Sequence, residues 1–159
     1  MGRLLGCGPS HMEALSSTVE GSGPRVVLVH GFTQTLASWE PLAARLRARW
    51  QVVRVDLPGH GGSAAVRADL PTTAELLGTG AQEPLWARLP ELAAPALLAA
   101  GELDGKFAAM AERMAGAIGP RARVALVPGA GHAAHLEQPE AFGDLVESFL
   151  DEAHAAAAW

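Results

Sequence analysis

The chain contains no tyrosine and only one cysteine, Cys7, among its 159 residues. A lone cysteine excludes an internal disulfide framework and a cysteine zinc cluster, and it fits a reducing cytoplasm. Basic residues are also in short supply. Lys and Arg number 12 against 17 Asp and Glu, a net charge of −5. Such a balance offers no basic face for nucleic acid or an anionic membrane, and neither is expected as a partner. No apolar run approaches the roughly 18 residues that would cross a bilayer. The stretch Met1 to Pro9 is too short, and too interrupted by Gly and Pro, for a signal peptide. Residues 1–11 read as a disordered leader before Met12, and 12–159 as one domain. What is present is ordinary globular material, 49% hydrophobic and 18% charged, with 18 Gly and 11 Pro to turn it.

The hydrophobic pattern predicts alternating strands and helices. Val26 to Val29 is an unbroken β-branched run of the kind buried on both faces of a parallel sheet. Ser38 is placed to cap a following helix, whose Trp39, Leu42, Ala43, Leu46 and Trp50 recur at helical spacing. A strand from Gln51 to Leu57 then runs into the tight loop Pro58-Gly59-His60-Gly61-Gly62-Ser63. Leu97 to Ala100 reads as a further strand. The next helix should bury Phe107, Met110, Ala111, Met114, Ala115 and Ile118 on one face before Gly119-Pro120 ends it. Val124 to Val127 is another strand, and a last helix begins at Pro139. An extra strand lies within Leu15–Val19. Together these elements describe an open, mostly parallel α/β sheet flanked by helices.

In such sheets ligands bind beyond the carboxyl ends of the strands. His30, Asp56, Asp104 and His132 all fall there. An Asp ending one strand and a His ending the next supply the orienter and base of a hydrolytic triad. The loop after the first strand offers a backbone N–H for an oxyanion. His30, His60 and Asp56 are read as loop supports, Asp56 holding the Pro58–Ser63 turn. His132 and His135 stand at i, i+3 but lack the further ligands a metal needs. Trp86 is a candidate to line a substrate pocket.

The segments Leu28-Val29-His30-Gly31-Phe32, Asp56-Leu57-Pro58-Gly59-His60-Gly61-Gly62-Ser63, Gly101-Glu102-Leu103-Asp104-Gly105-Lys106-Phe107 and Gly129-Ala130-Gly131-His132-Ala133-Ala134-His135-Leu136-Glu137-Gln138-Pro139 resemble the α/β-hydrolase superfamily, in that family's order. The resemblance spans roughly residues 15–63 and 78–156. Within the superfamily, the last two segments are most similar to the 2-succinyl-6-hydroxy-2,4-cyclohexadiene-1-carboxylate synthases of menaquinone biosynthesis. The resemblance implies His132 as triad base, Asp104 as triad acid, and Gly31 and Phe32 at the oxyanion loop. It implies elimination of pyruvate from a small-molecule substrate, and no metal or organic cofactor.

The pattern fails at its centre. None of Ser10, Ser16, Ser17, Ser22, Ser38, Ser63 and Ser148 has Gly at both −2 and +2, so the Gly-x-Ser-x-Gly nucleophile elbow is missing. A single βαβ unit takes roughly 30 residues, and the interval from Ser63 to Asp104 is too short for the two strands, helix and lid the family places there. The sequence thus reads as a shortened α/β-hydrolase domain, its central strands deleted at a junction near 77–78. Its strand at 25–29 must then pair directly with that at 96–100, or each must leave an open edge that favours self-association. Three readings follow: an impaired enzyme of the synthase type, a catalytically silent domain that self-associates or binds a partner, or a small-ester hydrolase with Ser63 or Ser38 as substitute nucleophile.

Overall fold

The computed structural model describes residues 15–31, 34–66 and 85–157. The expected deletion junction at 77–78, the leader and Phe32 lie outside these residues. The strands are β1 (Ser17–Glu20), β2 (Arg25–Val29), β3 (Gln51–Val55), β4 (Ala96–Gly101) and β5 (Ala122–Val127). The helices are α1 (Glu40–Leu46), α2 (Gly105–Ile118), the single turn α3 (Ala134–Glu137) and the long α4 (Pro139–Ala157). Short 3-10 segments occupy Leu36–Trp39, Gly61–Ser63 and Leu85–Glu91.

The strands form two sheets. One has the order β1-β3-β2, with β1 antiparallel and β2 parallel to β3. The other is the parallel pair β4-β5. Direct pairing of β2 with β4, one of the two expected arrangements, is not found among the described residues, where the two strands lie in different sheets. Each keeps one edge without a ladder partner in its sheet.

The expectation that β2 is buried on both faces is corrected. Leu28 is buried, whereas Val27 and Val29 are 54% and 50% exposed. The reason is that, among the described residues, helices cover one face only. On that face Leu28, Leu42, Leu46, Trp50 and Val52 pack together, with Val146 and Leu150 of α4 laid against them. On the other face the register aligns Val19, Val53 and Val27 across the three strands, and Val19 is 60% exposed.

Two helix expectations also change. Ser38 does not cap α1. Its Oγ donates to the Thr35 carbonyl at 2.8 Å, and a 3-10 turn intervenes before the helix starts at Glu40. In α2, Ala111 and Ile118 are buried, but Phe107 at the start is 45% exposed and touches a histidine described below.

Helix α4 joins the two halves. Phe142 packs against the core of the first sheet and also against Val127, Ala130 and Ala134 beside the second. Arg45 of α1 meets three carboxylates spaced along α4: Glu140 and Glu147, each at 2.9 Å, and Asp144. One turn further on, Arg49 pairs with Asp151 at 2.8 Å.

Candidate active site

The site grows from the carboxyl ends of β4 and β5. Beyond β4 the chain turns at Glu102-Leu103 and enters α2, whose N-cap is Asp104. One oxygen of Asp104 accepts the Phe107 N–H at 3.3 Å, a bond that satisfies a free amide of the helix's first turn. The other oxygen accepts Nδ1–H of His132 at 2.8 Å. One short side chain thereby caps a helix and orients an imidazole. The imidazole holds the Asp104 carboxyl below its usual range, the strongest of the effects acting on it, and the Phe107 amide adds to this.

Placing the proton on Nδ1 leaves the Nε2 lone pair of His132 free, the tautomer a general base requires. The His132 side chain is 74% exposed, and Asp104 beneath it 16%. Phe107 meets the ring at a tilt of 60°, with 4.7 Å between centroids. Both residues of the pair line a groove of about 310 Å³ whose walls are otherwise apolar, from Leu97 and Leu98 of β4 to Phe107, Met110 and Met114 of α2. The groove runs beside β4, the strand whose far edge is unpaired.

The loop bearing His132 approaches β4 closely. A Cβ on Gly101 would lie 2.0 Å from the Gly131 carbonyl oxygen and 2.4 Å from that of Ala130, so only glycine allows the strand end to pass the loop. Carboxylates hold the loop's amides. Glu102 accepts from Gly129 at 3.0 Å, and Glu137 accepts from Gly131 at 2.7 Å and Ala133 at 2.8 Å. These bonds keep the Glu137 carboxyl below its ordinary range, Gly131 contributing most. Sequence reasoning quoted Glu137 in a motif without assigning it a task. Its offset from His132, on the turn that follows the histidine loop, was the available signal.

The other candidates lie apart from this pair. His30 is buried. Its Nε2 accepts the Leu57 N–H at 3.0 Å, which puts the ring proton on Nδ1, 2.8 Å from the Gly31 carbonyl oxygen. Asp56 accepts from Gly62 at 2.9 Å, as a holder of the Pro58–Ser63 turn should. It also accepts from Leu36 at 2.8 Å, tying that turn to the segment before α1. Gly31 is exposed, and its carbonyl accepts from Gln34 at 3.1 Å. Trp86 lies outside the groove lining, in the 3-10 segment against α2, with the Arg113 guanidinium 4.0 Å above its ring. His135 is turned away from His132, between Trp39 and Phe142, at ring distances of 4.5 and 6.0 Å. Burial lowers its pKa. Among the described residues no cluster of His, Cys, Asp and Glu is arranged for a metal, and no helix is long and apolar enough to cross a membrane.

Neither serine considered as a substitute nucleophile is aimed at the histidine. Ser63 is fully buried and its Oγ accepts the Ser16 N–H at 2.8 Å, fastening the chain just before β1. Ser38 is engaged at Thr35. Among the described residues His132 hydrogen-bonds Asp104, and no hydroxyl meets its Nε2.

Comparison with known proteins agrees with this architecture. Residues 26–84 match the model of the alpha/beta hydrolase family. A protein of Bacillus subtilis (strain 168), assigned as a 2-succinyl-6-hydroxy-2,4-cyclohexadiene-1-carboxylate synthase, is 45% identical over 74 residues, 46% of this chain and 27% of that protein. A pimeloyl-[acyl-carrier protein] methyl ester esterase of Vibrio atlanticus is 41% identical over 70 residues, 43% of this chain and 27% of the esterase. The matched stretches thus span about a quarter of these relatives' length. Among solved structures, MenH from S. aureus superposes with a TM-score of 0.75 at 18% identity, covering 87% of this chain and 98% of that one. E-2-(acetamidomethylene)succinate hydrolase superposes at 0.68 and 17% identity, covering 86% and 95%. The chain therefore has the α/β-hydrolase fold, and its residues 26–84 are similar to the alpha/beta hydrolase family.

Proposed function

We propose that this chain is a shortened α/β hydrolase of the 2-succinyl-6-hydroxy-2,4-cyclohexadiene-1-carboxylate synthase type, which keeps the base and its orienter and lacks the seryl oxygen they serve. The observation that carries this reading is the 2.8 Å bond from His132 Nδ1 to Asp104, combined with an Nε2 that no hydroxyl meets among the described residues. Asp104 sets the tautomer and stabilises the imidazolium that forms when Nε2 takes a proton. The apolar groove receives the carbon skeleton of a small substrate, and the family resemblance assigns the developing negative charge to the backbone N–H groups of Gly31 and Phe32. The likeness to the Bacillus protein supports this substrate class, and so does the order of the motifs along the chain.

The rate is set by what is missing. Removing the serine of a Ser-His-Asp triad lowers kcat by about 10⁶, leaving roughly 10³–10⁴ over the uncatalysed reaction. Pyruvate release from the synthase substrate is accordingly expected to be slower by several orders of magnitude than with a serine-bearing synthase. A fluorophosphonate probe, which reports an activated seryl oxygen, should leave the chain unlabelled under conditions that label an intact α/β hydrolase. Stoichiometric labelling that H132A abolishes would overturn the proposal.

A second reading is favoured by a separate observation: among the described residues, nothing covers the valine face of the first sheet and no strand pairs with the outer edges of β2 and β4. On this reading the chain is silent as a catalyst and associates with further copies of itself through those surfaces.

A further inference from the structure

We infer that Glu137 is a positioning residue for His132, its single carboxylate gripping the peptide groups on both sides of the histidine. This deepens the acid–base reading of the Asp104–His132 pair and rests on it. One oxygen of Glu137 accepts from Gly131, the residue before His132, at 2.7 Å. The other accepts from Ala133, the residue after it, at 2.8 Å. A helix cap alone accounts for the bond to Ala133, which is the N-cap of α3. It does not account for the bond to Gly131, which reaches out of the helix and across the histidine. Glycine at 131 suits this grip, since a Cβ there would lie 3.0 Å from the carboxylate oxygen.

The consequence is geometric. With the amides at 131 and 133 held by one rigid planar group, the Cα–Cβ direction of His132 is set. Only the two side-chain torsions remain, and the bond to Asp104 together with the tilted ring contact of Phe107 fixes those. The imidazole is thus held from its backbone by one carboxylate and from its Nδ1 by another. Without Glu137 the ring is free to swing off Asp104. Solvent-exposed imidazole, released in this way, populates both neutral tautomers instead of one.

The test is nuclear magnetic resonance on the full chain labelled with ¹⁵N-histidine, with the His132 signals identified by their loss in H132Q. Above its titration the parent should show His132 as the pure Nδ1–H tautomer. D104N should abolish that purity. E137A should give a mixture of tautomers and speed hydrogen exchange at the 131 and 133 amides by about tenfold or more. E137Q, which keeps one acceptor oxygen and turns an NH₂ toward the other amide, should fall between parent and E137A. If E137A does not fold, E137Q decides by the same readout. A pure Nδ1–H state persisting in the Glu137 variants while D104N loses it would overturn the role of Glu137 and leave the acid–base pair intact. Persistence in D104N would instead overturn the pair itself.

Discussion

Single side chains in this molecule carry two duties where the fold is most compressed. Asp104 caps α2 and orients His132. Asp56 joins the Pro58–Ser63 turn to the segment before α1. Such double use makes the fold sensitive to acid in two separate ranges. His135, half-buried against Trp39 and Phe142, has a pKa lowered from 6.5 by desolvation. The unfolded chain therefore binds the proton first, and stability is complete above about pH 6.5 and declines as pH falls below it. Urea unfolding followed from pH 8 to pH 5 should show this decline, and H135F, which cannot be protonated, should flatten it. Asp104 and Glu137 have pKa values depressed below 3.8 and 4.5. Their contribution is present above those ordinary values and is lost as pH falls through the depressed ones, so a second acid-sensitive step is expected below about pH 4. The double variant D104N/E137Q should weaken that second step, and the depressed carboxyls of Asp56 and Glu20 should sustain the remainder. The identities of Asp104 and His132 were legible as residues, because a strand end followed by Gly, Asp or His is a local pattern. That Glu137 straddles the histidine was not legible, because it depends on how one turn of helix folds back on its loop.

At the scale of elements, the strands and helices followed from hydrophobic period, with boundaries displaced by two residues or fewer where β3 and β5 are concerned. The displacement at α1 has a definite cause. Ser38 satisfies the Thr35 carbonyl instead of an amide of the helix, and the first turn tightens to 3-10. Helix α4 has the largest structural task. It covers the core of the first sheet and reaches the second through Phe142, while Arg45 and Arg49 bind its acidic side. F142A should therefore cost about 2–4 kcal/mol, the lower part of the range reflecting partial exposure of the ring. It should also act at a distance. Hydrogen exchange at β5 amides should accelerate together with that at β3, because the residue joins the packing of both sheets. Acceleration confined to one sheet would show that α4 does not couple them.

At the scale of the whole molecule, the flank of β2 that has no partner among the described residues, and the valines beside it, dominate. Val19, Val27 and Val29 are half exposed or more on the sheet face opposite the helices. The self-association proposed above would use this surface, by edge pairing or by face-to-face packing. The double variant V27K/V29K should elute as a smaller species than the parent on a sizing column at high concentration, with the far-ultraviolet spectrum retained. A parent that already elutes as a monomer at that concentration would remove self-association from consideration. The sequence anticipated open edges as one of two arrangements but placed β2 in a sheet covered on both sides. That error is instructive: a continuous valine run reports strand propensity and hydrophobicity, whereas the second covering layer has to be supplied by other parts of the chain.

Local chemistry was readable in one dimension: the alternation of strands and helices, the glycines that let the chain turn, the absence of a Gly-x-Ser-x-Gly elbow, and the order in which acid and base occur. These properties depend on neighbours within a few positions. The separation into a three-stranded and a two-stranded sheet, the bare valine face, the bridge made by Phe142 and the grip of Glu137 on the histidine loop were decided in three dimensions. Each depends on which distant surfaces remain to be packed against one another, and packing is a property of the assembled volume that no short stretch of residues contains.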